Sequence, residues 1–162
     1  MSFWGHACAV YGKSGVEAVL LKLQDHYGLV INHLLMAVYL ANKGQTISWR
    51  PLLTQERDSQ VLAKLVAPVR NFRRDAKSGV SESTYQALKS VELSLERVHI
   101  AWLEQQSSMG LAALEGASLN ENLAQVLADY LKAATSLGVV SIDVDDSDFS
   151  LAMNEFISTV TS

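Results

Sequence analysis

Glu92, Glu96 and His99 follow one another at spacings of four and three residues, which sets all three side chains on one face of a helix. Glu96-Arg97-Val98-His99 is a Glu-x-x-His motif, the unit that supplies two ligands from one helix in di-iron bundles. Such a centre needs a second Glu-x-x-His and two further glutamates, and the chain has no second copy of the motif. The spacing therefore predicts a polar pocket near Glu92, Glu96 and His99. It specifies no metal, no cofactor and no catalytic residue.

A cationic stripe is the second constellation. Arg70, Arg73, Arg74 and Lys77 fall at i, i+3, i+4 and i+7, opposite Val61, Leu65 and Phe72. Such a stripe can hold phosphate, RNA or an acidic partner, and it can equally be a solvated face or a set of internal ion pairs. If the break near Gly79 closes an antiparallel hairpin, Arg70 and Glu92 lie at similar distances from it. Arg70 is then expected to pair with the carboxylates, leaving Arg73 and Arg74 mainly exposed.

The third is "LQDHYGLVINHLL", residues 23 to 35. An acid near the C-terminal end of a helix opposes the macrodipole, so Asp25 needs a partner. Asn32 lies in the first turn of the next helix, beyond Gly28. The expectation is a structural clasp of Asp25 with Asn32 or with backbone N–H groups, in which His26 and His33 take no part. On that reading Asp25→Asn lowers the melting temperature by several degrees.

The elements that position these residues read as helices throughout. Ser2 is set to cap a short first helix, and Ser14 with Glu17 has the pattern of a capping box. Val16, Val19, Leu20, Leu23 and Tyr27 then make one helical face that ends at Gly28. Residues 30 to 42 are apolar nearly all round, which predicts an enclosed central helix. Ser48 opens a helix to about Lys77 that Pro68 should bend or split. A long helix over residues 81 to 106 carries Leu88, Val91, Leu95, Val98 and Trp102 on one stripe. Ser118 to Glu121 is a second capping box, "SIDVDDSD" is an acidic linker, and Phe149 to Val160 is a last amphipathic helix. No segment has a sustained period of two. The fold expected is all-α, a single-domain bundle of six or seven helices over residues 1–162.

Composition narrows the function classes. Thirteen basic against seventeen acidic residues give a net charge of -4, which disfavours a surface built for nucleic acid or anionic membrane. The one cysteine, Cys8, has no partner within the chain and sits among apolar neighbours, where packing is its expected role. No basic segment followed by an apolar run opens the chain, and the longest apolar run is interrupted by Asn32 and His33. A cytoplasmic protein without membrane association is expected. The acidic linker lacks the glycine and terminal glutamate of an EF-hand loop.

Phe3-Trp4, Gly15 to Ala18, Leu23-Gln24-Asp25, Gly28 and Asn32 also carry a likeness. Together with Trp49-Arg50, "APVRNFRRDAK" and "VELSLER", they resemble an uncharacterised proteobacterial family of short all-helical proteins, catalogued as a domain of unknown function. The likeness covers about residues 1–105, and residues 106–162 form a more variable helical part. The chain departs from that family's pattern at Val30, where an acid is frequent, and at His33, where an aliphatic residue is usual. The resemblance implies a helical fold and no particular activity. The leading expectation is a non-catalytic helical protein that binds another protein. The alternatives are a small-molecule or metal binder, or an enzyme, using the pocket near Glu92, Glu96 and His99, and association with RNA or the ribosome through the arginine stripe.

Overall fold

The structure is a computed structural model that describes residues 1–143 and 146–162; Val144 and Asp145, in the middle of the acidic linker, lie outside the described residues. The first helix, α1 (Phe3–Tyr11), is capped by the Ser2 hydroxyl, which accepts from the Gly5 N–H. Helix α2 (Val16–Tyr27) buries Val16, Val19, Leu20 and Leu23, the face that the sequence spacing predicts. Its start differs from expectation. Gly15 is the N-cap at φ 82°, no side chain caps the helix, and Glu17 instead accepts from the Tyr11 hydroxyl at 3.3 Å. At its other end Gly28 takes φ 70° and its N–H bonds the Gln24 carbonyl, a left-handed closure, while the Leu29 N–H reaches back to the Leu23 carbonyl as the chain turns into α3.

Helix α3 (Ile31–Asn42) buries nine of its twelve residues and packs against α1, α2, α6 and α7. It is the enclosed central helix that its all-round apolar sequence requires. After it, β1 (Gln45–Ile47) pairs antiparallel with β2 (Leu111–Ala113), with Gln45 opposite Ala113 and Ile47 opposite Leu111. Strands of three residues are too short to display a period of two, so the sequence carries no sign of them.

Helix α4 (Trp49–Ser59) packs on α7 and buries Trp49, Leu52, Leu53 and Glu56; Ser48 precedes it without a capping bond. The expected single helix to residue 77 is indeed divided, but ahead of Pro68. Gln60 takes φ 55°, a π-helical turn spans Leu62–Val66, and α5 (Ala67–Ala76) follows with Pro68 in its first turn. Proline has no N–H to offer the carbonyl four residues back, so the disruption falls on the preceding turn. This division brings the α-helices among the described residues to eight, where six or seven were expected.

Helix α6 (Glu82–Ser107) runs 26 residues; α7 (Leu119–Ser136) opens with the Ser118–Glu121 capping box; α8 (Ser147–Thr161) is capped by Asp146. The core gathers on α3, α7 and α8, with Phe3, Trp49, Tyr130 and Phe156 among its largest fully buried side chains. In contrast α5 buries no residue, and the buried positions of α6 begin only at His99. The stripe expected to pack from α6 is not wholly inward: Val91 and Val98 are about half exposed, at 49% and 51%. Helix α6 turns Glu92, Glu96 and His99 toward the rest of the molecule instead, where α5 supplies partners for the two glutamates and α3 and α4 supply those of His99. Among the described residues no helix is long and apolar enough to cross a membrane.

Candidate functional site

Four helices bring polar side chains to one point in the core. Glu56 from α4 stands between His33 from α3 and His99 from α6; one of its oxygens accepts from His33 Nε2 at 2.9 Å and from His99 Nε2 at 2.6 Å. His33 Nδ1 lies 3.2 Å from the hydroxyl of Tyr130 on α7, and His99 Nδ1 lies 2.9 Å from Asn32 Nδ2. Both imidazoles are fully buried, Glu56 is 5% exposed and Asn32 is 4% exposed. Trp49 closes the group, its ring 4.9 Å from Tyr130 and 6.2 Å from His33.

The proton positions follow from this pattern. An amide nitrogen only donates, so Asn32 Nδ2 donates both to His99 Nδ1 and to Glu96 Oε2, the latter at 2.5 Å. His99 therefore carries its proton on Nε2 and gives it to Glu56. His33 does the same, and its Nδ1 accepts from Tyr130. Burial pushes the Glu56 carboxyl up, but the hydrogen bonds from His33 and His99 outweigh it and hold the group down at about 2. Burial likewise raises the Tyr130 phenol, which stays protonated.

From Asn32 the polar chain continues outward. Glu96 meets Arg70, which also donates to Glu92 through Nε at 3.2 Å; Glu92 pairs in turn with Arg73, and Arg73 donates to the Tyr85 hydroxyl at 2.9 Å. Burial raises the Glu92 carboxyl, and the bonds from Arg73 and Arg70 more than offset it, leaving it below the ordinary value. These residues line an open cleft of about 750 Å³ between α1–α3 and the arm formed by α5 and α6. The wall from α1–α3 is mainly apolar, with Trp4, Ala7, Leu21, Ile31 and Leu35 beside the polar Glu17, Gln24 and Asn32. The other carries Arg70, Arg73, Arg74, Lys77 and Lys89, so that the cleft sets five cations against the three carboxylates Glu17, Glu92 and Glu96. Lys77 and Lys89 take part in no ion pair among the described residues.

The expected site residues are thus brought together, with corrections. Arg70 pairs with Glu92 across the α5–α6 hairpin as the spacing predicts. Arg73 does not stay exposed: its side chain is 19% exposed against 23% for Arg70, because Glu92 and Tyr85 share it. Only Arg74, at 48%, remains at the surface. The Asp25–Asn32 clasp is overturned. Asn32 points inward to His99 and Glu96, and Asp25 meets Arg74 at 3.0 Å, bridging α2 to α5 at the mouth of the cleft. The reversal at Gly28 puts Asp25 and Asn32 on different sides of the hairpin. Both members of the Asp25–Arg74 pair are about half exposed, so Asp25→Asn is expected to cost no more than about 1 kcal/mol in chemical denaturation. Cys8 is also exposed rather than packed, and lines the cleft.

Sequence reasoning missed His33, Glu56 and Tyr130. Glu56 did carry a signal: it follows Leu52 and Leu53 at i+4 and i+3, on the apolar face of its helix. A family described as "Protein of unknown function (DUF2390)" matches residues 2–103, which span the cleft and the His33–Glu56–His99 group but stop short of Tyr130. No curated protein and no solved structure matches the chain.

Proposed function

Since the chain belongs to the DUF2390 family, whose description assigns no activity, its own geometry is the guide, and we propose that it binds a small amphipathic anion in the cleft between α1–α3 and α5–α6. One observation carries this reading: a mainly apolar wall faces a wall of five cations across about 750 Å³, a volume usual for small-molecule sites. The apolar side would cover a hydrocarbon or aromatic body, and Lys77 and Lys89 would meet its carboxylate, phosphate or sulfonate. Arg70 and Arg73, already held by Glu92 and Glu96, fix the wall in place. The same pairing argues against RNA, since cations committed to internal carboxylates contribute little to phosphate binding.

A calorimetric titration with decanoate and with decanol tests this. Decanoate is expected to bind more tightly than decanol, and Lys77→Glu with Lys89→Glu to weaken decanoate about tenfold, a loss of about 1.4 kcal/mol. Equal affinity for acid and alcohol, or an unchanged affinity in the double variant, would refute the assignment.

A second reading, docking of another protein, has its own support. Phe72 is 62% exposed, and Val98 is 51% exposed on the neighbouring helix, which leaves apolar surface on the arm. Phe72→Asp should then abolish capture of a partner while leaving decanoate affinity unchanged.

A further inference from the structure

The convergence of His33, Glu56 and His99 can do more than close the core. We propose that these three side chains form a binding site for a divalent first-row transition-metal ion, held by two imidazole nitrogens and one carboxylate oxygen.

The three side chains come from three separate helices, yet one donor atom of each falls within 4.8 Å of the others. The two N···O edges are 2.9 and 2.6 Å. An ion bonded at about 2.1 Å to imidazole and carboxylate in an octahedral frame needs edges of about 3 Å. Both N···O edges therefore have to lengthen to receive an ion, while the two imidazole nitrogens, which lie within 4.8 Å of each other, must stand no more than about 4.2 Å apart, twice the bond length. Two imidazoles and one carboxylate suit zinc, iron or cobalt better than calcium or magnesium, which prefer oxygen ligands. The remaining coordination positions would be filled by water.

Outer partners stand where such a site needs them. Each histidine has a polar group on its Nδ1, Tyr130 for His33 and Asn32 for His99. Without metal both Nε2 atoms carry protons; binding moves each proton to Nδ1, so neither imidazole changes its charge. His33 then donates to the Tyr130 oxygen. For His99 the Asn32 carboxamide must turn over so that its oxygen accepts, which places that oxygen against Glu96. Glu96 thereby opposes metal uptake, and an amide at that position would favour it. The site does not depend on the ligand reading of the cleft.

Equilibrium dialysis of the full chain against zinc, followed by metal analysis, gives the first test. One ion per chain is expected, with a melting temperature raised by several degrees. His99→Gln and Glu56→Gln should weaken uptake at least a hundredfold, while Glu96→Gln should hold the ion as tightly or more so. Because substitutions in the core can unfold the chain, cobalt binding by the wild type is the second test. Its visible absorption should show nitrogen and oxygen ligation without a thiolate charge-transfer band, and Cys8→Ser should leave it unchanged. Failure of the wild type to take up either ion would overturn the proposal, as would a thiolate band or undiminished uptake in His99→Gln that still folds by circular dichroism.

Discussion

Glu56→Ala is expected to lower the stability of the fold by about 3–5 kcal/mol, read from urea denaturation of the metal-free protein. Two buried N–H donors lose a charged acceptor at once, and hydrogen bonds to ionised groups contribute about 1.5–3 kcal/mol each. Both imidazoles are fully buried, so bulk solvent does not replace it. Glu56→Gln keeps a carbonyl oxygen in the same place and should cost distinctly less. The same carboxylate sets an acid limit. Its folded pKa of about 2 lies below the ordinary 4.5, so its stabilisation is fully present above about pH 4.5 and disappears as pH falls from there through about 2. The lowered Glu92 adds in the same direction. Denaturation midpoints should therefore decline through that window in the wild type, and decline less steeply in Glu56→Gln. A Glu56→Ala protein as stable as the wild type would mean that the buried group contributes nothing to the fold.

Trp49→Ala should be of comparable size, about 3–5 kcal/mol, through loss of a large core side chain and the cavity it leaves. Trp49 is 2% exposed and lies against Tyr130 and His33, so the loss also loosens the rings that hold the buried polar group. Trp49→Phe should cost much less. The indole Nε1 is buried with no hydrogen-bond partner among the described residues, so the phenyl ring gives up volume but no polar contact. A phenylalanine variant as unstable as the alanine variant would show that the indole nitrogen has a partner.

The helices were legible because each carries its own periodicity, and α3 was legible as the central one because apolar residues surround it. Glu92, Glu96 and His99 could be placed inward from the helical wheel of α6, and the Arg70–Glu92 pair from similar distances to the Gly79 turn. His33 could not be read in this way. On a helix buried on every side the sequence marks no direction, so nothing told which neighbour its imidazole would meet. The partners of a buried polar residue depend on helix packing, and Glu56 and Tyr130 come from elements 23 and 97 residues further along. The Asp25 expectation failed for a related reason. It considered only the groups nearest in sequence, while Arg74 arrives from α5, 49 residues away.

The cleft is where these elements meet, and amide shift mapping with decanoate tests its role most directly. Titrating isotopically labelled protein should move resonances around Trp4, Ala7, Leu35, Lys77 and Leu93, the two walls of the cleft. Phe72 and Val98, on the exposed surface of the arm, should stay in place. Saturable shifts confined to the cleft walls are the predicted result. Shifts confined to Phe72 and Val98, or none at saturating decanoate, would contradict it.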